Sequence, residues 1–339
     1  MSSSMIIPNR LNWIDWAKTL AISFVVFGHI PEKSGSFLVC YITQFHMPLF
    51  FFISGFLTKT EYLNKETIKK YWHTLIIPYL CYNILFYPYW ITRHIIESKI
   101  IYWYDFIKPL IGTLMLQHST QYYESLNGVT WFISALLIMR VLLAASHKYR
   151  LGHVFIFLGA TVCAITFIYN EFERLVIDLP FVGFIRCFPF FILGHICKKH
   201  HVIDNKTKNN KDIMMFVFGV GISLYTFIIG FNDMTSYGIY FWIINLSAIA
   251  GVLGGCRLLD SISLKIIQNI SVGTITIMGV HWMFIGVTNF LLEKALGLVR
   301  GITYPWYYAI IITIFIISFI YPIIILFKTK YHFMLGKKH

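Results

Sequence analysis

Ten apolar segments dominate the sequence and constrain its fold more than any other feature. Each is 18–24 residues long, close to the ~20 residues that a helix needs to cross a ~30 Å hydrocarbon core. They lie at residues 13–32, 37–58, 72–92, 129–146, 152–169, 180–197, 213–231, 238–256, 272–292 and 304–327. Only 13% of the residues are charged, about half the fraction in soluble proteins. The sequence predicts an all-α, polytopic membrane protein with about ten transmembrane helices in a single domain, residues 1–339.

The basic residues indicate how the predicted helices are oriented. With the N-terminus in the cytoplasm, eighteen of the 28 Lys and Arg fall in inner segments and seven in outer segments. This bias follows the positive-inside rule and predicts that both termini are cytoplasmic. It also assigns the net charge of +13 to loops that face anionic lipid, so the bilayer is the expected partner and nucleic acid is not.

Residues 104–117 are apolar but too short to cross a membrane. A full span here would invert every later loop against the charge bias, so we interpret them as an interfacial or re-entrant helix on the outer face.

The first apolar segment carries ionisable side chains that are unusual in a membrane helix. Asp15 and Lys18 lie near its start and His29 lies near its end. Lys18 and His29 are eleven residues apart, about three turns, so they share one face with ~16 Å between them along the axis. Asp15 lies on the same side, one turn before Lys18, where it can pair with the ammonium group. Because ionisable groups inside a membrane are expensive and usually functional, the spacing predicts a polar stripe leading from the cytoplasm into the bilayer.

Two further histidines lie inside apolar segments. His46 comes just before a proline in the second segment, at a predicted depth similar to that of His29, and His281 lies near the middle of the ninth. A neutral imidazole in a low-dielectric site can accept the proton of a hydroxyl that attacks an acyl group. The alternative for each ring is a hydrogen bond to a neighbouring helix.

Three other positions have a functional and a structural interpretation. Arg186 lies inside the sixth segment and needs an acidic partner or an anionic ligand. Trp131 lies at the outer interface, where it either contacts a substrate or anchors the helix. Gly55 follows a serine that could be a nucleophile, although small residues more often allow close helix packing.

Two motifs resemble acyltransferase family 3, the integral-membrane O-acyltransferases, and above all the branch related to fucose 4-O-acetylases. The first is a basic residue followed, after ten residues, by histidine, which here is Lys18 to His29. The second is the string Phe-His-Met-Pro-Leu-Phe-Phe-Phe-Ile-Ser-Gly-Phe at residues 45–56. The ten-segment pattern is similar over the whole chain.

The resemblance implies transfer of an acyl group, usually acetyl, from cytoplasmic acyl-CoA to a sugar hydroxyl of a cell-envelope glycan or lipid-linked precursor. It also implies a bacterial inner-membrane location, with acetyl-CoA as cosubstrate and no metal. We expect a catalytic set of His29, His46 and Asp15, donor-binding cations Lys18, Arg10 and Arg186, and acceptor contacts from His281 and Trp131.

Two other classes of function stay open. A transporter or exporter of a small or glycan-linked substrate would also place polar residues at mid-membrane, although the sequence has no evident internal repeat. A zinc-dependent enzyme or carrier would use the three histidines at 29, 46 and 281, which lie on separate segments without a local spacing motif. The six cysteines form no Cys-x-x-Cys pair, so neither a disulfide framework nor a thiolate metal site is predicted.

Overall fold

The computed structural model describes residues 10–32, 36–97, 102–115, 126–168, 182–203, 209–230, 238–297 and 301–337. The α-helices in these ranges are α1 (Asn12–His29), α2 (Phe37–Leu57), α3 (Lys65–Tyr71), α4 (Ile77–Glu97), α5 (Trp103–Leu114), α6 (Trp131–Lys148), α7 (Gly152–Ile168), α8 (Val182–Lys199), α9 (Asn209–Gly230), α10 (Ile239–Leu258), α11 (Lys265–Val272), α12 (Thr274–Ala295) and α13 (Trp306–Thr329). A π-helical turn, Trp72–Ile76, joins α3 to α4, and short 3-10 turns lie at Gly128–Thr130 and His332–Leu335.

A helix lies at each of the ten predicted apolar segments, so the all-α prediction is confirmed for the described residues. Six helices are long and apolar enough to cross a membrane, which confirms an integral membrane protein: Phe37–Leu57, Gly128–Lys148, Asn210–Gly230, Ile239–Leu258, Thr274–Ala295 and Trp306–Thr329. The count of ten spans stays a prediction.

Helix α1 occupies the centre of the helical bundle. It packs against α2, α10, α11, α12 and α13. Its first turn is capped by a residue far away in the sequence. The side chain of Asp260 accepts a hydrogen bond from the backbone N–H of Trp13, and the carbonyl of Asp260 accepts one from Nδ2 of Asn12, both at 2.9 Å. The apolar side chains on its packed faces are wholly buried: Ala17, Ala21, Ile22, Val25 and Val26. Protein surrounds α1, which explains how a helix with a carboxylate and an ammonium group is tolerated among membrane spans.

Helices α2 and α8 touch backbone to backbone. A Cβ atom added to Gly55 would lie 1.9 Å from the carbonyl oxygen of Phe191, and one added to Gly194 would lie 2.0 Å from that of Phe52. Any larger side chain at either position would push the helices apart. The close-packing interpretation of Gly55 is therefore confirmed.

The short helix α5 runs antiparallel to α4. The hydroxyl of Tyr87 donates to the Phe106 carbonyl at 2.9 Å, and that of Tyr79 donates to the Thr113 carbonyl at 2.8 Å. Because the two contacts advance in opposite directions along the helices, α5 folds back along α4. This arrangement favours the re-entrant interpretation over a helix that lies flat on the surface.

A buried polar junction fixes the start of α6. Asn83 donates to the Thr130 hydroxyl at 3.1 Å and accepts from the backbone N–H of Asn127 at 3.1 Å. Asn127 in turn donates to the carbonyl of Gly279 on α12 at 2.7 Å. The junction joins α4, α6 and α12, and thereby sets the position of the helix that carries His281.

Candidate active site

A cavity of about 660 Å³ lies beside the start of α1, where α2 and α8 end. Its lining includes four cations and one carboxylate: Arg10, Lys59, Lys198, Lys199 and Asp15. These residues belong to segments that the charge bias places in the cytoplasm. The excess of positive charge makes this inner pocket suitable for an anionic ligand.

Arg10 is held at the edge of the inner pocket by Asp15. Its Nε and Nη2 donate to the two carboxylate oxygens at 2.6 and 2.9 Å, and Nη2 also reaches the Gln268 carbonyl at 3.2 Å. The hydrogen bond to Asp15 raises the pKa of Arg10. The expected pairing of Asp15 with Lys18 is replaced by this bidentate ion pair, which leaves the guanidinium in one orientation.

The side chain of Lys18 points toward helix α11. Its Nζ donates to the carbonyl of Ser271, which is 1% exposed and lies in the last turn of α11. The last carbonyls of a helix carry partial negative charge and attract cations. The cationic part of the predicted polar stripe therefore lies against α11.

His29 meets His281 at the outer end of α1. Their ring centroids are 5.0 Å apart with an interplanar angle of 67°. Nδ1 of His29 donates to the Val25 carbonyl at 2.7 Å, since a carbonyl oxygen only accepts, so Nε2 is the basic nitrogen of the neutral ring. Nδ1 of His281 donates to the carbonyls of Ile277 and Met278 at 2.9 and 3.0 Å.

His281 is wholly buried, and its Nε2 has no hydrogen-bond partner among the described residues. An unpaired buried polar atom is costly and calls for an explanation, of which a catalytic role is one. Two imidazoles whose Nδ1 atoms are already engaged thus lie side by side, each with Nε2 left to accept a proton.

A second cavity of about 500 Å³ extends outward from His29. Helices α4 and α12 and residues 301–303 complete its wall. Trp282 lies at the same end as His29, with ring centroids 6.4 Å apart. The remaining lining mixes aromatic, amide and charged groups, among them Tyr89, Thr92, Arg93, Asn289, Phe290 and Glu293. A mostly apolar wall that carries a small number of polar groups is typical of a site for a small ligand.

Hydrogen bonds fix the rim of this outer pocket. Glu293 accepts from the backbone N–H groups of Gly301 and Ile302 at 2.8 and 3.1 Å. Asn289 accepts from the Tyr304 hydroxyl at 2.9 Å. The loop before α13 is thereby tied to the C-terminal part of α12, so hydrogen bonds within the protein hold this wall of the cavity in place.

The other predicted site residues lie away from the two cavities. His46 is 8% exposed and its Nδ1 donates to the Ile42 carbonyl at 3.2 Å. Trp131 packs against Phe51 with ring centroids 5.9 Å apart. Neither lines the inner or the outer pocket. Arg186 belongs to α8, but its side chain lies outside the described part of the structure.

Sequence reasoning missed most of the outer pocket and part of the inner one. Trp282 directly follows a membrane histidine, which was an available signal. Lys198 and Lys199 begin the longest hydrophilic loop, and were counted only as topological charges. Tyr89, Asn289 and Glu293 gave no local signal, because their role depends on how α4 and α12 pack.

The zinc hypothesis finds no support in the geometry. Across the described ranges, no group of three or more His, Cys, Asp or Glu side chains is placed to hold a metal ion. His29 and His281 therefore form a pair, and the described part of the chain places no third ligand near enough to complete a zinc site.

Fold and site together define an integral-membrane helical protein in which one cavity is lined by His29, the partner of the buried His281, and a cation-rich cavity lies at the other end of the same helix. The family model described as an acyltransferase domain, that of acyltransferase family 3, matches residues 11–325, and the chain belongs to this family of membrane acyltransferases. Comparisons with curated proteins and with solved structures found no match.

Proposed function

We propose that the protein transfers an acyl group, acetyl in the first instance, from cytoplasmic acetyl-CoA to a sugar hydroxyl of a cell-envelope glycan or its lipid-linked precursor. The proposed location is a bacterial inner membrane. The motif at residues 45–56 supports placing the chain in the branch related to fucose 4-O-acetylases.

One observation carries the proposal: α1 links the two cavities. Its inner end lines the cationic pocket through Asp15, and its outer end lines the second pocket through His29. Fourteen residues separate these side chains, or ~21 Å along the axis. An acyl donor bound at one end and an acceptor bound at the other could therefore meet beside a single helix.

The inner pocket is the proposed donor site. Arg10, which lines this pocket, and Lys18, which does not, are the predicted cations for the phosphates of acyl-CoA. The lining residues Lys59, Lys198 and Lys199 extend the set. Asp15 acts in this proposal as a positioning residue, because it orients Arg10 and lies a helix length from His29. Arg186 stays a candidate donor contact from the sequence alone.

His29 is the proposed general base. Its Nε2 would take the proton of the acceptor hydroxyl while the hydroxyl oxygen attacks the thioester carbonyl. The new C–O bond forms as the C–S bond breaks, and the departing thiolate takes up a proton. The same nitrogen could instead accept the acyl group first and pass it to the sugar. His281 would hold the acceptor or the neighbouring ring, and His46 and Trp131 stay expected contacts.

The outer pocket is the proposed acceptor site. Aromatic side chains such as Tyr89 and Trp282 offer flat apolar faces for a sugar ring, while Asn289 and Thr92 offer hydrogen bonds to hydroxyl groups. We also propose ten membrane spans in a single domain with both termini cytoplasmic. Reporter fusions after each predicted loop test this topology.

The function is tested with the full chain in its host, comparing wild type, His29→Ala and a matched exposed histidine variant, His200→Ala. Mass spectrometry of surface glycans should show acetyl esters in the wild type and in His200→Ala, and none in His29→Ala at equal amounts of inserted protein. Acetylation retained by His29→Ala would refute the proposed base. Movement of a glycan precursor across proteoliposomes without any acyl transfer would favour the transporter alternative.

A further inference from the structure

Three cations from different elements converge on the end of α11. Arg10 donates to the Gln268 carbonyl at 3.2 Å, and Lys18 donates to the Ser271 carbonyl. Lys328, on α13, donates to Oδ1 of Asn269 at 2.8 Å. The three acceptors lie within four consecutive residues, so the cations form one cluster. Arg10 belongs both to this cluster and to the lining of the inner pocket, whereas Lys18 and Lys328 lie outside that lining.

A fourth cation, Lys337, follows a docked turn, and its charge interacts with those of Lys18, Lys328 and Arg10. The turn His332–Leu335 is anchored by the Tyr82 hydroxyl, which donates to the Met334 carbonyl at 2.8 Å. Met334 is 5% exposed. Gly336 follows with a φ of +65°, and a Cβ atom there would lie 2.4 Å from the carbonyl oxygen of Thr74. Glycine is therefore required for the turn to dock on the π-helical segment before α4.

The four positive charges act on one another. Partial burial and the charges of Lys328 and Arg10 lower the pKa of Lys337, and the charge of Lys337 acts on Lys18. Among the described groups acting on Lys18, Asp15 alone is negative, and its two oxygens are engaged by Arg10. A cluster with such an excess of positive charge is stabilised by a bound anion.

We propose that Lys337, together with Lys18 and Lys328, binds a phosphate group of the acyl donor, so that residues 331–337 form part of the donor site. This inference rests on the proposed function, in which the donor is acyl-CoA. Lys328 and Lys337 are accessible at the protein surface, so a phosphate can reach them. A lipid headgroup presents the same phosphate chemistry, and the experiment separates the two sources.

The test measures binding of coenzyme A to the full chain in nanodiscs of phosphatidylcholine by isothermal titration calorimetry, which needs no acceptor. Lys337→Ala should raise the Kd for coenzyme A about ten-fold, as expected for loss of one charge-assisted contact. Lys337→Arg should restore most of the affinity. The matched control Lys330→Ala removes an exposed lysine of the same segment and should bind like the wild type.

A second variant tests position instead of charge. Gly336→Ala keeps Lys337 but should displace the docked turn, so it should weaken coenzyme A binding as much as Lys337→Ala does. The double variant should be no weaker than either single variant.

Equal coenzyme A affinity in wild type, Lys337→Ala and Gly336→Ala would overturn the proposal. If the affinities are equal in phosphatidylcholine but differ between wild type and variants in nanodiscs that contain phosphatidylglycerol, the cluster binds the phosphate of a lipid. A wild-type protein that does not bind coenzyme A would instead refute the proposed donor itself, and this inference with it.

Discussion

The imidazole rings of His29 and His281 meet edge to face, with centroids 5.0 Å apart, on two helices that run parallel. Nearer the N-terminal end of α1, Lys18 donates to the carbonyl of Ser271, just before α12 begins. Lys18 and His29 are eleven residues apart on α1, and their partners Ser271 and His281 are ten residues apart. This matched register brings together a histidine predicted from a motif and one predicted only from its burial in an apolar segment.

Replacing His281 should impair the chemical step more than donor binding. His281→Phe keeps an aromatic ring beside His29 but removes the unpaired Nε2. We expect kcat for acyl transfer to fall about 100-fold, within the usual range for a group that assists proton transfer, with the KM for acyl-CoA unchanged. Steady-state kinetics in membranes measure both. Unchanged kcat would mean that the ring is only a packing element.

Asp15→Asn should weaken donor binding through Arg10. The variant keeps the size of the side chain but removes the charge that orients the guanidinium. We expect the KM for acyl-CoA to rise about five-fold, consistent with partial loss of a charged hydrogen bond, with kcat nearly unchanged. Glu66→Gln, an exposed inner carboxylate, is the control. A lower KM would show instead that Asp15 competes with the phosphates for Arg10.

Trp282→Ala should affect the acceptor side alone. Loss of the aromatic face beside His29 should raise the KM for the sugar acceptor about ten-fold, while the KM for acyl-CoA stays constant. Trp306→Ala removes a tryptophan outside the pocket that is 48% exposed and should have no effect. Equal effects of the two substitutions on both substrates would argue against an acceptor site at the outer pocket.

Donor binding should weaken at alkaline pH. Because burial and the charges of Lys328 and Arg10 place the pKa of Lys337 below its ordinary value, its charge is lost at a lower pH than that of an ordinary lysine as the pH rises. The KM for acyl-CoA should therefore rise with pH earlier than an ordinary lysine would allow. Lys337→Arg should remove this rise, because arginine stays protonated. An identical pH profile in the variant would show that Lys337 does not cause the rise.

The polar junction at the start of α6 should contribute to stability. Asn127 is wholly buried and donates to the Gly279 carbonyl at 2.7 Å. Asn127→Ala leaves that carbonyl without this donor, which costs about 1–3 kcal/mol. Thermal unfolding in detergent should show a lower Tm than for Ser318→Ala, a substitution on the exposed side of α13. Equal Tm values would show that water replaces the amide.

The sequence predicted the helices and part of the site for identifiable physical reasons. The structure has a helix at each apolar segment that was predicted from its length. The eleven-residue spacing placed Lys18 and His29 on one face of the first helix. The partners of those side chains were not predictable, because Ser271 and His281 come from the other end of the chain. The ion pair of Arg10 with Asp15 was missed because residues before a helix have no helical register.

The outer pocket shows the same limit. Tyr89 and Asn289 look like ordinary interfacial residues until α4 and α12 are packed together. The docking of Met334 under Tyr82 likewise depends on contacts across 252 positions of sequence, which no local pattern records.

The central place of α1 has a consequence for biosynthesis. The partner that Lys18 needs, Ser271, lies 253 residues later in the chain, so at ~5–20 residues per second it leaves the ribosome roughly 13–50 seconds after the lysine. During that interval α1, which carries a carboxylate and an ammonium group, lacks the four later helices that pack against it. The first helix of this protein is therefore enclosed only after its last four helices have been synthesised.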